Sequence, residues 1–479
     1  MPYNICMVCD FFYPNIGGVE SHIYQLSQCL INRGHKVVVI THAYGTRAGI
    51  RNMAGQLKVY YLPLKAFYKQ CIFPTIFNSF ALIREVVIRE QIQIIHGHSS
   101  FSTLAHEALF HSAVLGVRSV FTDHSLFGFA DLSSILTNNV LKFSLNSINH
   151  TICVSNTARE NTVLRSHQHP KHVSVIPNAI DASQFRPDPA SRSKDKIVIV
   201  VMSRLVYRRG TDLLVDIIPY ICQKYPQVEF LIGGDGDKRV LLEQIREQHS
   251  LHSRVKLLGM VKHEHVRQVM VQGHIFVNTS LTESFCITIV EAASCGLKVV
   301  TTNVGGVPEV LPPDMVKLAS PNAESLAQSV EEAILEQQND IGLSPWQLHD
   351  KIKNIYTWSD IARRTEIVYN TISKQDVITP QDRMNKFWNL GYVFGKVVIS
   401  ALVLIMVYNR ILEWWRPATA IDRCIYTYKS PSSNSSSQYQ ESANISGVSN
   451  KQKCGIATAD LSNSTVTPRR STRLKLKSL

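Results

Sequence analysis

Glu283 and Glu291 stand eight residues apart in ESFCITIVE and enclose a run that is almost entirely apolar. A carboxylate inside such a run is costly to bury unless it is paired or hydrogen-bonded. Either the chain turns between the two glutamates, or each has a partner. HIFVNTS before them reads as a strand, residues 281–286 as a loop, and Ile287 to Cys295 as a helix stopped by Gly296. Glu283 then sits at the helix entrance and Glu291 at least one turn inside. The N–H groups of Ser284, Phe285, Cys286 and Ile287 have no helical partners there, so a phosphate and sugar hydroxyls would satisfy both them and Glu283. Glu291, between Val290 and Ala292, needs a hydrogen-bonding partner of its own, and a ribose diol is a natural one.

Two carboxylates could instead form the acid and nucleophile of a glycosidase, roughly 5 to 10 Å apart across a sugar. The arginines nearby in the expected fold argue against that. SRLVYRRG places Arg204, Arg208 and Arg209 at the carboxyl end of a buried strand, and guanidinium forks suit a diphosphate. Gly17 and Gly18 lie between a strand and a helix, where backbone can approach an anion closely; a tight turn without a ligand fits the same residues. His96, His98 and His124 end two strands, in IIHGHSS and FTDHSLFG. Their spacing matches no standard metal motif, and a strand-end histidine facing a cleft reads as a hydrogen-bond partner to a sugar or acceptor, with a core histidine as the alternative.

Parallel strands flanked by helices would position all of these. Apolar runs NICMVCDFF, KVVVITHA, LKVYYLPL, IQIIHGHS, SVFTDHS, HTICVS and VSVIP alternate with periodic segments, among them a helix from about Val19 to Arg33 with Gly34 as its stop. The polar stretch RPDPASRSKD interrupts them. KIVIVVMSRL, VEFLIGGDG, VKLLGMV, HIFVNTS, KVVTTNV and MVKLAS then repeat the alternation. The expected fold is α/β: two Rossmann-like domains, 1–185 and 196–370, joined by a linker at 186–195, with a cleft between the carboxyl ends of both sheets. A length of 479 residues is ample for two cores.

The Cys6-x-x-Cys9 spacing falls within a strand, on opposite faces, which disfavours a redox or zinc pair, and ten scattered cysteines suit a reducing compartment. The net charge of +13 is mostly a tail property, since residues 416–479 hold ten Lys/Arg against three Asp/Glu. A nucleic-acid-binding body is therefore disfavoured.

No signal peptide is read at residues 1–12. After a juxtamembrane segment at 371–389, Leu390 to Tyr408 carries one charge, Lys396, and would be about 28 Å long as a helix. Trp388, Trp414 and Trp415 flank it, and a single transmembrane helix is expected. The remaining 409–479 form a basic, Ser-rich tail, expected to be largely disordered. Its sequons at Asn434, Asn444 and Asn463 favour a lumenal tail and a cytosolic body.

These motifs resemble the retaining GT-B glycosyltransferases of family 4, whose E-x7-E pair is matched by Glu283 and Glu291. CDFFYPNIGGVESHIYQLSQCL, HAYG, HGHSSFS, FTDHSLFGF, VIPNAIDASQF, SRLVYRRG, NTSLTESFC and VEAASCG are similar to the family of phosphatidylinositol N-acetylglucosaminyltransferase catalytic subunits. The match covers about residues 3–370. The resemblance implies transfer of GlcNAc from UDP-GlcNAc to phosphatidylinositol at the endoplasmic reticulum membrane, within a multisubunit complex, with no cofactor and no required metal. It assigns Gly17, Gly18, Arg204 and Arg209 to the diphosphate, Glu283 to the GlcNAc hydroxyls, Glu291 to the uridine ribose and His124 to the reacting centre. Arg209 departs from the family's usual lysine, and Gly97 from its serine. Two other readings are a lipid glycosyltransferase using GDP-mannose and a non-catalytic membrane scaffold with the same fold.

Overall fold

The computed structural model describes residues 2–126, 132–389, 391 and 393–424. The three sequons and the end of FTDHSLFGF lie outside them.

Ten strands form in the first half: β1 (Asn4–Val8), β2 (Lys36–His42), β3 (Gly49–Asn52), β4 (Lys58–Leu62), β5 (Ala66–Tyr68), β6 (Cys71–Ile72), β7 (Ile94–His98), β8 (Arg118–Asp123), β9 (His150–Cys153) and β10 (Val173–Val175). Eight of them make one sheet in the order β10-β9-β8-β7-β1-β2-β4-β3. All its pairings are parallel except β3 with β4. The continuous apolar runs follow from this: central parallel strands are covered on both faces. Cys6 and Cys9 indeed pack into cores on opposite sides of the sheet. Periodicity did not announce β3, an exposed edge strand, or β5 and β6, which pair only with each other.

The second half contributes β11 (Ile197–Met202), β12 (Val228–Gly233), β13 (Val255–Gly259), β14 (Ile275–Asn278), β15 (Lys298–Thr302) and β16 (Val316–Ala319). They form a parallel sheet ordered β13-β12-β11-β14-β15-β16. In the linker, Arg192 donates to the carbonyl of Gly296 at 2.8 Å.

The chain past Tyr356 differs from the expected boundary at residue 370. The helix Trp358–Ser373 leaves the second sheet and packs on the first: Ile361, Ala362, Val368, Tyr369 and Ile372 share a core with Ile5, Met7 and Ile23. Arg33 of the first helix pairs with Glu366. The next helix, Pro380–Trp388, is held by Arg383, fully buried, which donates to the carbonyls of Leu109, Phe110 and Ser147.

The apolar helix runs Phe394–Trp415 instead of 390–408. Gly391, at φ +126°, breaks the chain before it. At the other end the helix continues through Asn409 and Glu413, both of which accept from Arg84. The helix is long and apolar enough to cross a membrane.

Candidate functional site

The site is built where loops at the carboxyl ends of β11 and β14 meet. Gly210, at φ +65°, has no room for a side chain, since a Cβ would fall 1.8 Å from the Thr279 carbonyl oxygen. That approach lets Thr279 Oγ1 donate to the Arg209 carbonyl at 2.8 Å and Leu281 N to the Arg208 carbonyl at 3.0 Å. Arg209 is thereby aimed along the motif loop. Its guanidinium donates to Glu283 and, at 3.3 Å, to Ser280 Oγ. Burial lowers the Arg209 pKa and neighbouring Arg204 adds repulsion, so two guanidinium groups share this corner; Arg204 itself is exposed.

The motif helix Ile287–Ser294 begins at Cys286 with no side-chain cap. Ile289 N donates to the Cys286 carbonyl at 3.2 Å, which leaves the N–H groups at the helix entrance, before it, for another acceptor. Gly296, at φ +80°, follows its end as expected. Glu291 is buried, and His263 Nε2 lies 3.5 Å from its Oε1. That contact raises the His263 pKa. His263 carried no sequence signal, because it lies on a separate helix, His263–Met270.

Across the junction, Ser284 Oγ donates to the His124 carbonyl at 2.7 Å. Gly306 fits closely beside it: a Cβ there would meet Ser284 O at 2.1 Å and Ser155 Oγ at 2.4 Å. Glu309 accepts from the backbone N–H groups of Asn156 and Thr157 at 2.6 and 2.8 Å, which ties the halves a second time. NVGGVPE was not singled out in the sequence, although its paired glycines are the signal of such an approach.

His124 sits over a group of buried imidazoles. His98 Nδ1 lies 3.4 Å from His124 Nε2, and the His22 ring meets His124 edge-on at 4.7 Å. His22 projects from the helix Gly18–Asn32, so it links the double glycine to His124. Burial and neighbouring imidazoles hold His98 and His124 well below the usual histidine pKa, and burial brings His22 to about 4. All three are neutral at pH 7. Ring nitrogens of His22, His98 and His124 lie within 4.8 Å of one another, a set that could ligate a divalent metal.

His96 is a correction. It is fully buried, with Tyr369 OH at 2.7 Å from Nδ1 and Thr122 Oγ1 at 2.7 Å from Nε2. Both ring nitrogens are committed to the core, so it faces no substrate.

At the double glycine, Gly17 caps the first helix without a side-chain bond. Glu20 packs at this helix start, so a Cβ on Gly17 would lie 2.5 Å from Glu20 Oε2, whereas a Cβ on Gly18 meets nothing within 4 Å. Among the described residues no hydrogen bond or ion pair joins Gly17 or Gly18 to Arg204, Arg209 or Glu283.

Residues 42–131 match the family described as PIGA (GPI anchor biosynthesis), and residues 183–345 match glycosyl transferases group 1. The chain is 54% identical over 428 residues to a phosphatidylinositol N-acetylglucosaminyltransferase subunit of Homo sapiens, spanning 88% of this chain and 87% of that one. The chain belongs to the PIGA family. A Schizosaccharomyces pombe relative, the gpi3 subunit of the transferase of the same name, is 47% identical over 94% of this chain and 99% of its own. Among solved structures, sucrose-phosphate synthase from Thermosynechococcus elongatus aligns with TM-score 0.65 and 19% identity, over 78% of this chain and 99% of that one. Anabaena HepE in complex with UDP aligns with TM-score 0.63 and 19% identity, over 77% and 100%. This member of the PIGA family therefore has the GT-B fold, with one long apolar helix near its carboxyl end, and is a glycosyltransferase.

Proposed function

We propose that the chain transfers GlcNAc from UDP-GlcNAc to the inositol of phosphatidylinositol with retained anomeric configuration, the first step of GPI anchor synthesis. The observation that carries this reading is the Arg209 and Glu283 contact one residue from the Ser284 bond to His124, because it sets donor-side charges beside the junction of the two sheets. Arg204, Arg209 and the free N–H groups at Ser284 to Ile287 take the diphosphate and neutralise the UDP leaving group as the glycosidic bond breaks. Glu283 accepts GlcNAc hydroxyls, and Glu291 accepts from the uridine ribose. Gly17 and Gly18 let the phosphates approach the first helix. Neutral His124 hydrogen-bonds at the reacting centre.

The acceptor stays in the bilayer, so a membrane-held body raises its effective concentration at the headgroup. The proposed location is the endoplasmic reticulum membrane, with the body cytosolic, a single span, a lumenal tail and the other members of the transferase complex as partners. A second topology has a specific observation behind it. Arg416 pairs with Glu85, and Cys424 N donates to the Arg89 carbonyl at 2.8 Å, so the chain beyond the apolar helix meets the same half as the chain before it. A helix lying along the membrane surface would keep both ends on one side. Glycan occupancy at Asn434, Asn444 and Asn463 separates the two: occupied sequons mean a crossing.

The donor is tested in microsomes from cells lacking the endogenous enzyme, with phosphatidylinositol and either UDP-GlcNAc or GDP-mannose. GlcNAc-lipid from the first alone is the expected result; mannolipid would overturn the donor assignment.

A further inference from the structure

Strands β5 and β6 form a hairpin that stands apart from both main sheets. Its two-residue turn places Lys69 and Gln70 at φ +45° and +68°, a twist that suits a tight hairpin but strains residues with a Cβ. The root is firmly held. Leu64 and Ile72 are buried, Ile72 N donates to Asp10 Oδ1 at 3.2 Å, and Cys71 Sγ reaches the Phe101 carbonyl at 3.2 Å. Beyond the root the hairpin is exposed and carries three aromatic rings: Phe67 is 78% exposed, Tyr68 64% and Phe73 61%. Phe67 and Phe73 pack only edge to face, at 5.8 Å. Exposing this much aromatic surface on a rigid projection is costly in water unless something covers it.

The occupant follows from charge and continuity. Residues 63–78 hold two lysines, Lys65 and Lys69, and no carboxylate. Lys69 Nζ lies 5.2 Å over the Tyr68 ring, so aromatic and cationic groups share the tip. Three residues past Pro74, half-exposed Phe77 meets Tyr408 of the apolar helix at 5.7 Å. The exposed aromatics thus continue from the apolar helix onto the hairpin. Rings that enter the interfacial layer, flanked by lysines at anionic headgroups, are what a bilayer surface accommodates.

We propose that the β5–β6 hairpin inserts Phe67 and Phe73 into the interfacial layer of an anionic bilayer, with Lys65 and Lys69 on the headgroups. The inference rests on the membrane reading of the apolar helix. Because Asp10, just past the end of β1, holds the hairpin root, the inserted tip draws the carboxyl edge of the first sheet toward the lipid acceptor.

The test uses the full chain in microsomes, with a photoreactive amino acid at position 67 or 73, and at Leu335 of the second half as an exposed apolar control. Crosslinks to phospholipid from 67 and 73, absent from 335, are expected. Lys65→Glu or Lys69→Glu lowers their yield roughly fivefold, the equivalent of one lysine at an anionic surface. Crosslinks to protein alone, as for a partner protein of the complex, or no crosslinks from a chain that floats with the membranes in a density gradient, overturn the hairpin proposal. A chain that does not float with the membranes overturns the membrane reading of the helix, and the hairpin proposal with it. Crosslinking needs no turnover, so loss of catalysis leaves the result readable.

Discussion

Arg209 and Glu283 are bound to each other across two loops, the guanidinium donating to the carboxylate. Each neutralises its neighbour. In the proposed donor site a diphosphate and a sugar divide that pair, which would couple donor binding to loop position.

Removing the guanidinium should therefore cost more than losing a surface ion pair. Arg209→Ala is expected to lower the transfer rate by about 10²- to 10³-fold, as for loss of one donor to a developing charge. Arg209→Lys, which keeps the charge and loses the planar fork, should stay within about tenfold of the parent. Initial rates with saturating phosphatidylinositol decide both.

On the proposed assignment of Glu291 to the ribose, His263, 3.5 Å from its Oε1, competes with the nucleotide. Its pKa is raised by Glu291, so the pair is complete below the ordinary histidine range and is lost as pH rises through the elevated value. UDP should accordingly bind more tightly at pH 8 than at pH 6, and His263→Gln should flatten that dependence. Inhibition of transfer by UDP across this range measures it; an unchanged slope in the variant would place the ribose elsewhere.

The buried imidazoles make the fold less stable as pH falls. His22 and His96 have pKa values lowered by burial to about 4 and about 3. Between pH 6.5 and those values the unfolded chain binds protons that the native chain does not, so stability falls as pH falls. Protease resistance of the body should drop between pH 7 and pH 5, and His96→Leu should reduce the pH slope while lowering resistance at pH 7.

The two glycines make opposite predictions. Gly18→Ala meets no atom within 4 Å and should leave the fold intact, yet raise the KM for UDP-GlcNAc by about tenfold if phosphate approaches there. Gly306→Ala would press on Ser284 O and Ser155 Oγ, and should lower protease resistance as well as activity. Parent-like KM in the first variant would remove Gly18 from the donor site.

What the sequence revealed was local. The motif helix lies within one residue of its expected end, and Glu283 and Glu291 stand at its entrance and interior, because strand, loop and glycine stop are all short-range signals. The buried strands were legible for the same reason. The second half's true end was not: Trp358–Ser373 is an ordinary amphipathic helix whose destination depends on Tyr3, Arg33 and His96, hundreds of residues earlier. His96 and His98 share one strand motif, yet Tyr369 and Thr122 bind one into the core while the other reaches His124. That difference comes from packing and leaves no trace in spacing.

The most direct measurement is transfer of radiolabelled GlcNAc from UDP-GlcNAc to phosphatidylinositol in microsomes lacking the endogenous enzyme, comparing the parent chain with Glu283→Ala at matched expression. Label in lipid from the parent, reduced at least about a hundredfold in the variant, is the expected outcome. Equal labelling by both chains, or none by either in an assembled complex, would contradict a donor site built on Glu283 and Arg209.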